Sequence, residues 1–156
     1  MNDDARFEDG AERPLNIVAM DDEDLQILSS LVQDAVFPIT ELNWRARDRQ
    51  LAMLLNRFRW EDTSRDRHGA ERVRALLVID NVLSMSSLGI DRSETDTILQ
   101  VLSVAFEPGN DGAGDVTLTL AGDGALRAHV EALEVRLRDV TRPYRAPSGK
   151  APDHGT

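Results

Sequence analysis

Gln50-Leu51-Ala52-Met53-Leu54-Leu55-Asn56-Arg57-Phe58-Arg59-Trp60-Glu61 is the stretch from which the fold can be read. It is rich in branched and aromatic residues that suit a pleated, half-buried surface. At strand spacing Asn56, Phe58 and Trp60 share one face, and Arg57, Arg59 and Glu61 share the other. A similar run, Phe37 to Arg45, precedes it, and Ala46-Arg47-Asp48-Arg49 between them has the composition of a turn. The pair reads as a β hairpin, with Pro38 marking an edge or bulge.

Upstream, Leu15 to Met20 suits a short strand, and Asp21-Asp22-Glu23-Asp24 suits a helix start. Asp21 or Asp22 can cap free backbone N–H groups, and the other acids favour the positive end of the helix dipole. Leu25, Leu28, Leu31, Val32 and Ala35 then recur at helical spacing. Downstream, Arg72 to Ile79, Val82 to Ser87, Ile98 to Glu107, Val116 to Leu120 and Leu126 to Val130 read as strands, with turns at Asp80-Asn81 and Gly122-Asp123-Gly124. Between Glu131 and Val140, Leu133, Val135 and Leu137 alternate as in a strand, yet Leu126, Val130, Leu133, Leu137 and Val140 also share one helical face. Periodicity leaves strand and helix both open there. The expected fold is α+β: a largely antiparallel sheet of about seven or eight strands, one N-terminal helix and an optional C-terminal helix.

The chain has 156 residues, enough for one domain that buries roughly 70% of its unfolded surface. Residues 1–14 read as a disordered acidic leader, 15–144 as the single domain and 145–156 as a disordered tail with little to bury. Cysteine is absent, which excludes disulfides, thiol catalysis and cysteine-ligated metals. The acidic start has no signal-peptide pattern and no apolar run spans a bilayer, so a soluble cytoplasmic protein is expected. A net charge of −10 argues against nucleic acid and anionic membranes as partners. The charge is uneven: Arg45 to Arg74 holds nine arginines against five acids.

That segment supplies the candidate binding residues. Arg57 and Arg59 on one strand face, Arg45 and Arg47 on the hairpin partner, and Arg72 and Arg74 on the next strand would form an arginine face, and Asn56 and Trp60 of the same stretch complete the candidates. Guanidinium groups chelate phosphate and carboxylate. The plain alternative is a solvated outer face balanced by Asp48, Glu61, Asp62 and Glu71, with Phe58 and Trp60 in the core.

No catalytic residue is assigned. His68, His129 and His154 lie far apart, and Gly-x-Ser-x-Gly, Ser-x-x-Lys and His-Glu-x-x-His motifs are absent. The acidic run at Asp21 lacks calcium-loop spacing, and the glycines at 109, 112 and 114 lead into a strand rather than a helix, so neither metal nor cofactor is expected.

The stretches Leu25-x-x-Leu28-x-x-x-Val32-Gln33-Asp34-Ala35-Val36, Leu55-Asn56-Arg57-Phe58-Arg59-Trp60-Glu61, Ser87-x-Gly89-Ile90-Asp91 and Val130-Glu131-x-Leu133-Glu134-x-x-Leu137-x-Asp139 resemble an uncharacterised alphaproteobacterial family catalogued as a domain of unknown function. The resemblance covers about Leu15 to Tyr144, with Asn56 to Glu61 its most specific block. It implies domain limits and a bacterial source, and brings no activity, cofactor or catalytic residue.

The function expected from these residues is a non-enzymatic binding or adaptor domain that holds an acidic protein or small anion on its arginine face. Two alternatives stand beside it. One is an enzyme acting on a phosphorylated or carboxylated metabolite, and the other is a structural oligomerising module, with a homodimer as the default state.

Overall fold

A computed structural model describes residues 13–61 and 71–145. The expectations for residues 1–12, 62–70 and 146–156, including His68 and His154, lie outside the described residues.

The described chain runs β1 (Asn16–Ala19), α1 (Asp22–Leu31), β2 (Val36–Pro38), β3 (Leu42–Arg45), β4 (Gln50–Phe58), β5 (Glu71–Ile79), β6 (Val82–Leu88), β7 (Ile98–Pro108), β8 (Gly114–Leu120), β9 (Ala125–Val130), β10 (Val135–Asp139) and β11 (Tyr144–Arg145). The strands make one antiparallel sheet in the order β1-β10-β5-β4-β2-β7-β8-β9-β6, with β3 also on β4 and β11 also on β5.

Helix α1 forms as its sequence dictates. Asp21 is the N-cap and its Oδ1 accepts the Asp24 N–H at 2.8 Å, while Asp22, Glu23 and Asp24 occupy the first turn. Leu25 and Leu28 are fully buried, and the chain leaves the helix through Asp34 at φ 65°. They join one apolar cluster with Leu51, Met53 and Leu55 of β4, Leu77 and Ile79 of β5, Val116, Leu118 and Leu120 of β8, Leu126 and Val130 of β9, and Val135 and Leu137 of β10. One sheet face therefore folds back around the helix, and the other face is turned outward.

Eleven strands among the described residues exceed the seven or eight expected, for three reasons. The run from Phe37 to Arg45 is two strands: a 3₁₀ turn at Ile39–Glu41 follows Pro38 (φ −65°) and separates β2 from β3. The ambiguous segment is strand β10, held between β1 and β5, and no C-terminal helix forms among the described residues. Tyr144 and Arg145 pair with Arg72 and Glu71, so ordered backbone extends into the expected tail. The Asp80-Asn81 turn (Asn81 φ 60°) does not close a hairpin. β5 pairs with β4 and β10, whereas β6 crosses to β9.

Candidate functional site

Leu51, Met53 and Leu55 point into the core, and alternation carries Arg57 inward with them. The outward placement expected for Arg57 is therefore reversed. Leu51 to Leu55 is apolar at every position, so the sequence held no phase for the alternation. The Arg57 side chain is 0% exposed and uses all five of its N–H donors. Nε and Nη2 donate to the two Asp139 oxygens, both at 3.0 Å. Nη1 and Nη2 donate to Glu61 at 2.9 and 2.7 Å, and Nη1 also reaches the Phe58 carbonyl at 3.0 Å. Asp139 Oδ2 in turn accepts the Leu15 N–H at 2.9 Å.

Burial opposes the Arg57 charge, but the hydrogen bonds and attraction of Glu61 and Asp139 outweigh it and hold its pKa above the ordinary value. Burial likewise opposes ionisation of Glu61, and the Arg57 hydrogen bonds overcome it and lower the Glu61 pKa. A guanidinium with every donor used has nothing left for a ligand. Arg57 is an internal tie between β4, β10 and the chain entering β1.

The other expected site residues separate. Arg59 is buried and donates to Glu71 at 3.1 Å. Trp60 Nε1 donates to the Gln33 carbonyl at 2.9 Å, just past α1, and its ring lies 5.6 Å from Phe58. Arg45 pairs in register with Gln50, at the far end of β4 from Arg57, and meets Asp48 at 3.6 Å. Arg47 is exposed in the 3₁₀ turn Ala46–Asp48. A hairpin that turns at 46–49 brings Arg45 and Arg47 to the start of β4, so they cannot adjoin residues at its end. The single arginine face is not formed.

Asn56, Arg72 and Arg74 do come together, on the outward face. Asn56 is the register partner of Arg74, and Phe58 that of Arg72. The Arg72 guanidinium lies 4.1 Å from the Phe58 ring centroid, and Arg72 Nη1 donates to Asn56 Oδ1 at 3.2 Å. Asn56 Nδ2 donates to the Tyr144 hydroxyl at 2.7 Å. On the same face β10 adds Arg136 and Arg138, register partners of Val78 and Leu76. Sequence reasoning missed both because the strand or helix identity of β10 was open. Arg136 is held by Glu134 (2.6 Å) and Asp80 (3.2 Å), and the Glu134 contact raises its pKa. Arg74 and Arg138 are exposed and make no ion pair among the described residues.

Beside these arginines lie half-buried Leu54, Leu76 and Val78. Where the 3₁₀ turn lifts the chain off β4, a groove of about 270 Å³ opens, walled by Val36, Pro38, Leu54 and Ile98. Asn56 and Arg74 supply its polar side, with Glu41 also on the lining.

On the opposite half of the sheet, β6, β9 and β8 bring Ser84, His129 and Asp115 into one row. His129 Nδ1 is 2.9 Å from Asp115 Oδ1, but no hydrogen bond joins Ser84 to His129 among the described residues. The nucleophile–base contact of a hydrolytic site is not made. Among the described residues no cluster of three or more metal-ligating side chains occurs, and no helix is long and apolar enough to cross a membrane.

A family model described as "Protein of unknown function (DUF2948)" matches residues 15–154. Comparison with curated proteins and with solved structures returned no match.

Proposed function

We propose, for a chain that belongs to the DUF2948 family of proteins of unknown function, a non-enzymatic binding or adaptor role in which the outer sheet face holds an acidic segment of a partner protein. The observation that carries this reading is the pair of exposed guanidinium groups, Arg74 and Arg138, without an ion pair among the described residues and set on that face beside half-buried Leu54, Leu76 and Val78. Guanidinium forks chelate carboxylates, and the apolar residues supply area that water leaves on contact. The groove accepts an apolar side chain of the same segment. The rest of a chain with net charge −10 repels an acidic partner, which favours approach to the arginine-bearing face.

The test is a photo-crosslinking amino acid placed at position 76 of the full chain in bacterial cells, with position 119 on the exposed side of β8 as the control. Adducts to acidic segments at 76, lost in Arg74→Glu/Arg138→Glu with an unchanged melting temperature, support the reading. Adducts at 76 no more abundant than at 119, or unaffected by the charge reversal, overturn it.

A further inference from the structure

The main path of the sheet, apart from the short side strands β3 and β11, ends at two edges, β1 and β6, and they are built differently. β1 has four residues, begins two residues after Pro14 and runs into Asp21, Asp22, Glu23 and Asp24. Short length, proline and charge are the usual devices that stop an edge from recruiting another strand. β6 has seven residues, Val82-Leu83-Ser84-Met85-Ser86-Ser87-Leu88, with neither charge nor proline.

One side of β6 pairs with β9 from Val82–Val130 to Leu88–Ala125. On its other side, among the described residues, Val82 N–H reaches the Arg49 carbonyl at 2.9 Å, and no strand follows along Ser84 to Leu88. The bulge between Val82 and Ser84 bends only the start of the strand. Leu83 is 47% and Leu88 71% exposed.

We infer that β6 is the seam of a homodimer, pairing antiparallel with β6 of a second copy of this chain. An open strand edge offers alternating backbone donors and acceptors, so its natural occupant is another extended strand. The identity of that strand follows from charge. Two copies at −10 each repel, and the seam must therefore avoid bringing like charges together. β6 meets that condition with itself. Around a two-fold axis at Ser86, Ser84 faces the partner's Leu88 and Met85 faces the partner's Ser87. No charged side chain enters the seam, and exposed leucine surface is covered. Two-fold pairing uses each edge once, which gives a closed dimer rather than a fibre. Seven residues span only about 23 Å, so the association belongs to the weak, micromolar class. The inference does not rest on the acidic-partner reading, which concerns the other half of the sheet.

Sedimentation velocity across the micromolar range tests it with the full chain. Ser86→Glu is the informative variant, because Arg127 is the register partner of position 86 and supports a glutamate within the chain, while the two-fold axis sets two glutamates against each other. Wild type is expected to show a concentration-dependent dimer, and Ser86→Glu and Ser86→Lys each to remain monomeric, the glutamate variant at wild-type melting temperature and the lysine variant folded but melting lower, because Arg127 faces position 86. Their mixture is expected to regain a dimer. A wild type that stays monomeric throughout, a Ser86→Glu protein that dimerises as well as wild type, or a mixture that stays monomeric overturns the inference.

Discussion

Arg57 and Asp139 meet through two parallel N–H···O bonds of 3.0 Å although they stand on β4 and β10, with β5 between them in the sheet. The side chain crosses beneath β5, where Val73 is its register partner, and joins residues 82 positions apart in sequence. Glu61 and the Leu15 N–H complete the set, so one buried cation ties two strands, the end of β4 and the N-terminal entry into a single unit. Removing Asp139 leaves two buried guanidinium N–H groups without their acceptor and only the partly exposed Glu61 to balance the Arg57 charge.

Asp139→Ala is therefore expected to lower the unfolding free energy by about 3–5 kcal/mol. Arg57→Lys should fall in the same range, since an ammonium cannot reproduce a five-donor fork. Arg74→Gln, on the open face, should change stability by no more than about 0.5 kcal/mol. Urea midpoints at constant m-value check all three; an Asp139→Ala midpoint equal to that of Arg74→Gln would show the network to be energetically idle.

The same network sets a pH dependence. The folded Glu61 pKa lies below the ordinary value of 4.5. A carboxylate depressed in the folded state binds fewer protons there than in the unfolded state. Its contribution is thus fully present above about pH 4.5 and is lost as pH falls through the depressed value. Glu61→Gln should be less stable than wild type at neutral pH, and the gap should narrow on acidification below 4.5. Thermal melts of both proteins at neutral and acid pH measure it, and a gap that stays constant or widens in acid would contradict the assigned cause.

Local chemistry was legible where one residue type settles the backbone. The acidic run announced a helix cap at Asp21 or Asp22, of which Asp21 takes the role, and Val116 to Leu120 alternated with the burial that β8 shows. The phase of β4 was not legible, because Leu51 to Leu55 offers apolar residues to both faces, and an arginine is ordinarily assigned to water. Nothing near Arg57 points to Asp139, whose role depends on β10 being a strand. The outward cluster was half visible: Asn56, Arg72 and Arg74 were picked out, while Arg138 waited on the same strand assignment. Each of the six side chains from Asn56 to Glu61 is engaged in a contact of the folded core or its flanks.

The cap at Asp21 yields a smaller and cleaner effect. Its carboxylate holds one N–H of an exposed helix end, at 2.8 Å to Asp24. Asp21→Ala should cost about 1 kcal/mol, and Asp21→Asn a few tenths at most, because an amide oxygen serves as well. Thermal unfolding should place alanine a few degrees below wild type with asparagine close to it. Equal losses in both would assign the effect to charge at the helix dipole rather than to the cap.

Gly114 opens β8 opposite Pro108, with Phe106 and Glu107 of β7 pressed against it. It carries no left-handed φ, so the demand for glycine here is space. A Cβ on Gly114 would collide with the Glu107 carbonyl oxygen, and would lie 2.7 Å from Phe106 Cε1. Phe106 can turn, but the carbonyl belongs to the paired strand and cannot move without opening the β7–β8 ladder. Gly124 is the contrast: its nearest neighbour to an added Cβ is Ile90 Cγ1 at 3.4 Å, an ordinary contact. Gly114→Ala should therefore destabilise by about 1–3 kcal/mol through overpacking, whereas Gly124→Ala should stay within about 0.5 kcal/mol of wild type. Paired urea titrations decide the matter, and hydrogen exchange should show faster loss of protection at the β7–β8 end in Gly114→Ala. If both alanine variants unfold at the wild-type midpoint, the close approach of the two strands does not constrain residue 114.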